Sequence, residues 1–452
     1  MKQISNLKEP KEIQKRLGKL PPDLPATYKE IFAEMEEREK EVADRAFQWA
    51  MCSCALLSTK ELLLAVSQEG KNREVQPIKE LTEKLVLQYC HNLLIIDSNQ
   101  VWVPSHLSVL EFVEDQKVYD RKKANCLVAT VCLSLLTDPR VYARKDEFMI
   151  KKSKSEWKET GEECDTEEVR NFRDLAFYAR HHWMMHVQNC EEEGNQGRLP
   201  GLLARFLGSP EESSPAYKAW FSMVMKDRYK PGSSFVASPR FDVTDIEPSS
   251  MTTFTICAFG FSNVLSRWDD NKWTDVNIRN ANGYSQLQLA AISGSVPLCE
   301  RLIARKANVN EHLQGGGHGS VLAAAAAWGN MEVVKLLIQN RAAVNIQLRL
   351  GWYGSALAAA AYWGKIDIVE YLVEEAGAEV DLPLLTGEYG SALAAASAFG
   401  DNKDIVQFLL HADAIVNKKF IVGRYGSAIA AAEIKGNTEI KKMLESYASL
   451  QA

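Results

Sequence analysis

A glycine recurs down the C-terminal half of the chain at Gly294, Gly329, Gly364, Gly400 and Gly436, spaced by 35, 35, 36 and 36 residues. Nine residues before each stands a serine: Ser285, Ser320, Ser355, Ser391 and Ser427. Seven before each stands an aliphatic residue: Leu287, Leu322, Leu357, Leu393 and Ile429. A fixed period of this size, held in register over five segments, points to a solenoid and not to one closed core.

The residue types explain the period. Serine ahead of a run of helix formers is an N-cap, its oxygen open to the free N–H groups of the first turn. The alanine run that follows makes a short, narrow helix that lets neighbours approach closely. The closing glycine ends it, because glycine takes the left-handed conformation cheaply. A second helix carries apolar residues at helical spacing: Val334, Leu337, Ile338; Val369, Leu372, Val373; Val406, Leu409, Leu410. Burying each large aliphatic contributes about 1.5–3 kcal/mol. A single repeat cannot hide that face, so the repeats must stack. Each unit then closes on a β-branched, polar ending, such as Asn308-Val-Asn310, Ala343-Val-Asn345, Glu379-Val-Asp381 and Ile415-Val-Asn417, before a loop returns to the next Gly-Ser.

From about Gly283 to Tyr447 this pattern resembles the ankyrin repeat, which implies a small-residue first helix, a longer second helix and a projecting hairpin. The family's Thr-Pro-Leu-His start is here Ser-Ala-Leu-Ala, similar to the variant of large fungal ankyrin proteins. The period exceeds the usual one, and most of the excess is assigned to the hairpins. The glycine expected after the second helix survives only as Gly377; Lys306, Arg341 and Asp413 stand there instead. A left-handed non-glycine residue costs about 1–2 kcal/mol, and Asn340 is an alternative bearer of that conformation. Repeat three gains a residue at its helix end (EEAGA), and repeat four gains one between its helices (GDNKD). Lys441 and Glu445 replace apolar residues in the last repeat, as a terminal cap requires. Met251–Arg279, with Gly260 and Asp275-Val-Asn277, reads as a degenerate opening repeat.

The N-terminal half has a different grammar. Tyr28–Met35, Val42–Cys52 and Ile78–Cys90 are helical in period, and Ser58-Thr59-Lys60-Glu61 opens a helix to Ser67 as a capping box. Leu93–Asp97 and Val101–Pro104, around Ser98-Asn99-Gln100, read as a hairpin. Helices followed by a hairpin suggest a winged-helix unit. The phrases LPPDLPATYKEIF, FQWAMCSCALLSTKELLLAV, LIIDSNQVWVPSHLSVLEFV and LAFYARHHWMMHV resemble the region after the nucleotide-binding module in fungal NACHT–ankyrin proteins, over Leu17–Val187. Those are STAND-type sensors of the vegetative-incompatibility class. Their phosphate loop, GxxxxGK[ST], needs a Ser or Thr after Gly-Lys. Here Gly18-Lys19, Gly70-Lys71 and Gly364-Lys365 are followed by Leu20, Asn72 and Ile366. The chain is expected to be the post-NTPase part alone, from a truncated relative or a gene model beginning late.

Composition narrows the function classes. A net charge of -6 over 452 residues gives no general field for nucleic acid or an anionic membrane. The opening residues lack the apolar run of a secretory signal. The longest apolar run, near Cys126–Leu136, is about half a membrane span. Nine scattered cysteines suit reduced thiols in a cytoplasmic or nuclear compartment.

Four constellations bear on possible chemistry. His182 and His186 have the spacing of a zinc pair, but no Glu follows the first His and no third ligand is evident, so helix packing with exposed histidines is expected. Cys52-Ser53-Cys54 has the wrong spacing for a metal knuckle or redox pair, and buried thiols are expected. Lys151-Lys152-Ser153-Lys154 has acidic neighbours and reads as a solvated loop. The mixed charge of Ile78–Cys90 argues against DNA binding by the winged helix.

The fold class expected is mainly α: a winged-helix-like and helical N-terminal half, then an ankyrin-repeat α-solenoid. The divisions are a tail (1–16), a winged-helix-like domain (17–120), a helical region (121–225) with a charged loop at 144–170, a linker (226–250) and repeats (251–450). No catalysis, cofactor or metal is expected. Other proteins are the expected partners, through the concave face and hairpin tips, where rigid aromatics act as anchors. Candidate contacts are Trp328, Tyr362, Trp363 and Phe399 on the first helices, and Trp352, Leu384, Leu385 and Phe420 on the hairpins. The last four look out of register with the repeat. Tyr353, Tyr389 and Tyr425 recur just before Gly-Ser and lean toward a structural role.

Overall fold

The computed structural model describes residues 24–68, 81–115, 120–138, 167–190, 197–228, 243–247, 252–262, 273, 275–312, 317–400, 402–420 and 422–450. The chain forms two compact units, residues 1–206 and 207–452.

The first unit runs α1 (Leu24–Glu34), α2 (Glu37–Cys52), α3 (Thr59–Ser67), α4 (Glu83–Tyr89), β1 (Leu94–Ile96), β2 (Trp102–Pro104), α5 (Leu107–Asp115), α6 (Arg121–Leu136), α7 (Glu167–Asn189) and α8 (Leu199–Leu207), the last reaching the division. The Cys126–Leu136 run is a core helix: from Val128 to Leu136 every residue of α6 is buried, as a helix segment apolar all round must be. It packs against α2 and α7, with Phe47, Trp49, Leu133 and Trp183 inside. Ser58 closes both halves of its capping box, accepting from the Glu61 N–H while its own N–H donates to Glu61 Oε2. The hairpin pairs antiparallel as expected, Ile95 opposite Val103. The third predicted helix starts late, at Glu83, with Thr82 as its N-cap. Of the charged loop at 144–170, residues 144–166 lie outside the described residues, while 167–170 open α7.

The second unit begins with α9 (Pro215–Arg228), a 3-10 turn at Val243–Ile246 and α10 (Thr252–Phe259). Most of the linker expected at 226–250 lies outside the described residues. Tyr217 of α9 donates its O–H to the Ile246 carbonyl at 2.7 Å and lies 2.9 Å from Thr255 Oγ1. The repeats then alternate inner and outer helices: α11 (Gln286–Ser293) and α12 (Val296–Ala304); α13 (Val321–Trp328) and α14 (Met331–Gln339); α15 (Ala356–Tyr362) and α16 (Ile366–Glu370); α17 (Ala392–Ala398) and α18 (Lys403–His411); α19 (Ala428–Lys435) and α20 (Thr438–Leu450). Inner packs on inner from α10 to α19, outer on outer from α12 to α20. All five serines cap their helices, accepting from the N–H three residues on at 3.0–3.2 Å. The alanines of α13, α15 and α17 are buried.

Lys306, Arg341 and Asp413 do take left-handed backbone, with φ of 68°, 66° and 62°. Asn340 does not, at φ -95°. What holds the strained turns is the asparagine that ends the preceding repeat. Asn310 donates to the Arg341 carbonyl at 2.9 Å and accepts from the Ala343 N–H at 2.8 Å. Asn277 makes the same clamp on Lys306 and Asn308, and Asn345 on Gly377 and Glu379. Asp381, lacking an N–H, keeps only the accepting half, from Ile415. The extra residue of repeat three is absorbed by a π turn, Tyr371–Glu375, in which the Ala376 N–H reaches back to the Tyr371 carbonyl.

Candidate protein-docking surface

The loops joining one repeat to the next are not β-hairpins. Among the described residues of the second unit there is no strand; the projections are fingers of turns. Each finger ends in Gly-x-Tyr-Gly-Ser, at Gly351-Trp352-Tyr353, Gly387-Glu388-Tyr389 and Gly423-Arg424-Tyr425. Backbone hydrogen bonds tie them in series: Trp352 N–H to Gly317 C=O at 2.7 Å, Glu388 N–H to Trp352 C=O at 2.8 Å, and Arg424 N–H to Glu388 C=O at 2.8 Å. The residue before each link must be glycine. A Cβ on Gly387 would meet backbone atoms of Tyr353 and Gly354 at 2.9 and 3.0 Å, at a φ of +107°.

Behind this ladder the tyrosines stack. Tyr353, Tyr389 and Tyr425 lie nearly parallel, 6.4 and 5.8 Å apart, with His318 extending the column at 6.1 Å. All three tyrosines are buried, and burial holds the Tyr353 phenol up to about 12, so it stays protonated and donor-capable. Their expected structural role fits this place.

A second row runs along the ends of the inner helices. Trp328 and Trp363 stack at 6.3 Å, and Trp363 lies 5.6 Å from Phe399. Lys435 holds the equivalent position in the last repeat. Trp363 donates its indole N–H to Tyr353 Oη at 2.7 Å, and Tyr362 packs against both Tyr353 and Tyr389, so the two rows form one surface. Trp363 and Phe399 are each 40% exposed, and Trp352 is 60% exposed. The Trp352 ring rests against Gly317, where a Cβ would meet it at 3.0 Å. Leu385 is also exposed, and Tyr362 and Trp328 are half-buried.

Leu384 and Phe420 stand elsewhere. With Leu348 they form a row at 36-residue intervals, so they are in register after all. Each packs on the glycine before a serine cap: Leu348 on Gly319, Leu384 on Gly354, Phe420 on Gly390. Leu384 is buried and Phe420 half-buried. The change of side chain, from leucine to phenylalanine, disguised the period.

In the first unit His186 is buried, not exposed. Asn125 donates to the Arg121 carbonyl at 2.8 Å, which turns its Oδ1 toward His186 Nδ1 at 2.7 Å and places the imidazole proton there. His186 Nε2 then accepts the Tyr178 O–H at 2.8 Å, and Tyr178 accepts the Cys54 N–H at 2.9 Å. Burial, with His182 nearby, lowers the His186 pKa to about 3. Cys52 is half-buried, its thiol held up to about 12 by desolvation, while Cys54 is exposed. The network is a structural clamp: its lone pairs and protons are already committed to one another. Among the described residues no group of three or more His, Cys, Asp or Glu could hold a metal ion. No helix among them is long and apolar enough to cross a membrane. The Lys151–Lys154 segment lies outside the described residues.

The family model described as ankyrin repeats (3 copies) matches residues 256–347, 287–383 and 322–420. The crystal structure of the human ASB11 ankyrin repeat domain is one similar solved structure, 21% identical, covering 44% of this chain and 82% of that one at a TM-score of 0.35. No curated protein matches the chain. The C-terminal array consists of ankyrin repeats within a mainly helical chain.

Proposed function

We propose that this chain is a non-catalytic binding protein whose ankyrin array docks another protein on the surface carrying Trp352, Trp363 and Phe399. One observation carries the reading. Three large aromatic rings stay exposed on one side of the array, and each is braced from behind, by Gly317, Tyr353 or Tyr362. Rigid, half-exposed aromatics are the side chains from which interfaces draw most of their energy. Trp328, Tyr362 and Leu385 border the same surface, whereas Leu384 and Phe420 serve by holding the fingers in place. The test is affinity purification with mass spectrometry on the full chain and on a Trp352→Ala, Trp363→Ala, Phe399→Ala variant. Partners that depend on the array should be lost from the variant; an unchanged partner set would contradict the reading.

The N-terminal unit supplies a second, narrower reading. Its order of helices and hairpin over 17–120, with the phrases over Leu17–Val187, supports a winged-helix-like relay module of a NACHT-type signalling switch, followed by the helical region 121–225 and the linker 226–250. An in-frame phosphate-loop motif in the gene upstream of Met1 would favour it, and an upstream stop would count against it.

A further inference from the structure

Charge is sorted between the two sides of the array. On the docking side, Arg349 stands on the finger that bears Trp352. Lys365 stands two residues after Trp363, its methylenes lying against Gly329 at the end of α13. Lys435 takes the place in its repeat that Trp363 and Phe399 take in theirs, its ammonium 6.0 Å from the Tyr425 ring. None of these three cations has an ion-pair partner among the described residues. The carboxylates on that side are answered: Glu388 faces Arg424 at 3.7 Å, and Glu433 faces Lys441 at 2.8 Å.

The acids of the third repeat lie elsewhere. Asp367, Glu370, Glu374 and Glu375 are exposed on α16 and its π turn, and Glu379 on the turn that follows. That is the outer layer, away from the inner-helix ends where the rings are. Residues 351–400 hold one basic residue, Lys365, against seven acidic ones. A chain of net charge -6 therefore keeps three cations without ion-pair partners on the side of its exposed rings. A bound carboxylate beside these rings would meet cations with no competing internal partner, and local potential governs which ligands approach.

We propose that the partner segment is acidic and apolar together: a peptide whose large hydrophobic side chains pack on Trp352, Trp363 and Phe399 while its Asp or Glu residues face Arg349, Lys365 and Lys435. This rests on the docking reading above and adds the chemistry of the ligand. A basic segment with the same hydrophobic residues is repelled by the three cations and finds its complementary acids only on the outer layer.

Three fluorescent peptides test it, each sharing one leucine and one tryptophan and flanked by glutamates, lysines or serines. They are titrated against the full chain by anisotropy. The acidic peptide should bind at least about tenfold tighter than the basic one at low salt, and the gap should close as salt is raised to about 0.5 M. Lys365→Glu with Lys435→Glu should reverse the order, and Lys365→Gln with Lys435→Gln, which keeps the packing against Gly329, should abolish the preference for the acidic peptide over the serine one. Trp363→Ala with Phe399→Ala should weaken all three peptides. If the basic or serine peptide binds as tightly as the acidic one, still dependent on the rings, the charge inference is overturned and the docking reading stands. Acidic-peptide binding that ignores the ring substitutions overturns both.

Discussion

The N-terminal unit and the repeat array both bury polar side chains, but they use them differently. In the first unit, unlike groups meet once: Asn125, Tyr178 and His186 satisfy one another inside the core, with the backbone N–H of Cys54 closing the network from its edge. In the array the same few bonds recur from repeat to repeat: serine caps within each, asparagine clamps between them, and along the later repeats a backbone ladder and a tyrosine column. A single network concentrates vulnerability. A repeated one spreads it, so that a local defect weakens one interface and loosens its neighbours.

That contrast can be broken in a definite order. Leu337→Ala, deep between outer helices, should destabilise the array by about 2–5 kcal/mol in a denaturant melt. The first unit should keep its own transition. Acid should do the reverse. The folded-state pKa of His186 lies near 3, below the ordinary 6.5, so the neutral imidazole contributes stability that is fully present above about pH 6.5. That stability falls by about 1.4 kcal/mol per pH unit as pH drops from there toward 3. His186→Gln should flatten this slope in pH-dependent melts of the first unit; a slope that persists would mean other groups set it.

Smaller effects sharpen the account of the array. Asn345→Ala removes both bonds to the next turn and should cost about 1–2 kcal/mol. Arg341→Gly relieves a left-handed residue and should stabilise the array by up to about 1 kcal/mol. A loss of stability instead would mean that the arginine side chain matters more than its backbone.

What the sequence disclosed follows from how local each feature is. Serine caps, closing glycines, the Ser58 capping box and the hairpin around Asn99 depend on residues a few positions apart, and they were legible. The asparagine clamp was not, because its partners sit 29–34 residues away in the next repeat. The Val-Asn ending was visible as a pattern with no assigned work. Leu384 and Phe420 were misplaced because their row is conserved in position and not in residue type. His186 was misjudged because a histidine between aromatic neighbours on a helix carries no mark of which face is buried. Of the proposed docking surface, Trp352, Trp363, Phe399 and Leu385 were legible as large apolar residues at finger and helix ends; the cations on the same side gain meaning only when rows are aligned.

Hydrogen exchange tests most directly whether neighbours hold each repeat together and so keep the aromatic surface rigid. Amides of α13 and α14 should be well protected in the full chain and should lose most of that protection when residues 355–450 are removed. Protection in Val321–Gln339 that is unchanged by the deletion would show that each repeat stands alone, and the stacking account would fail.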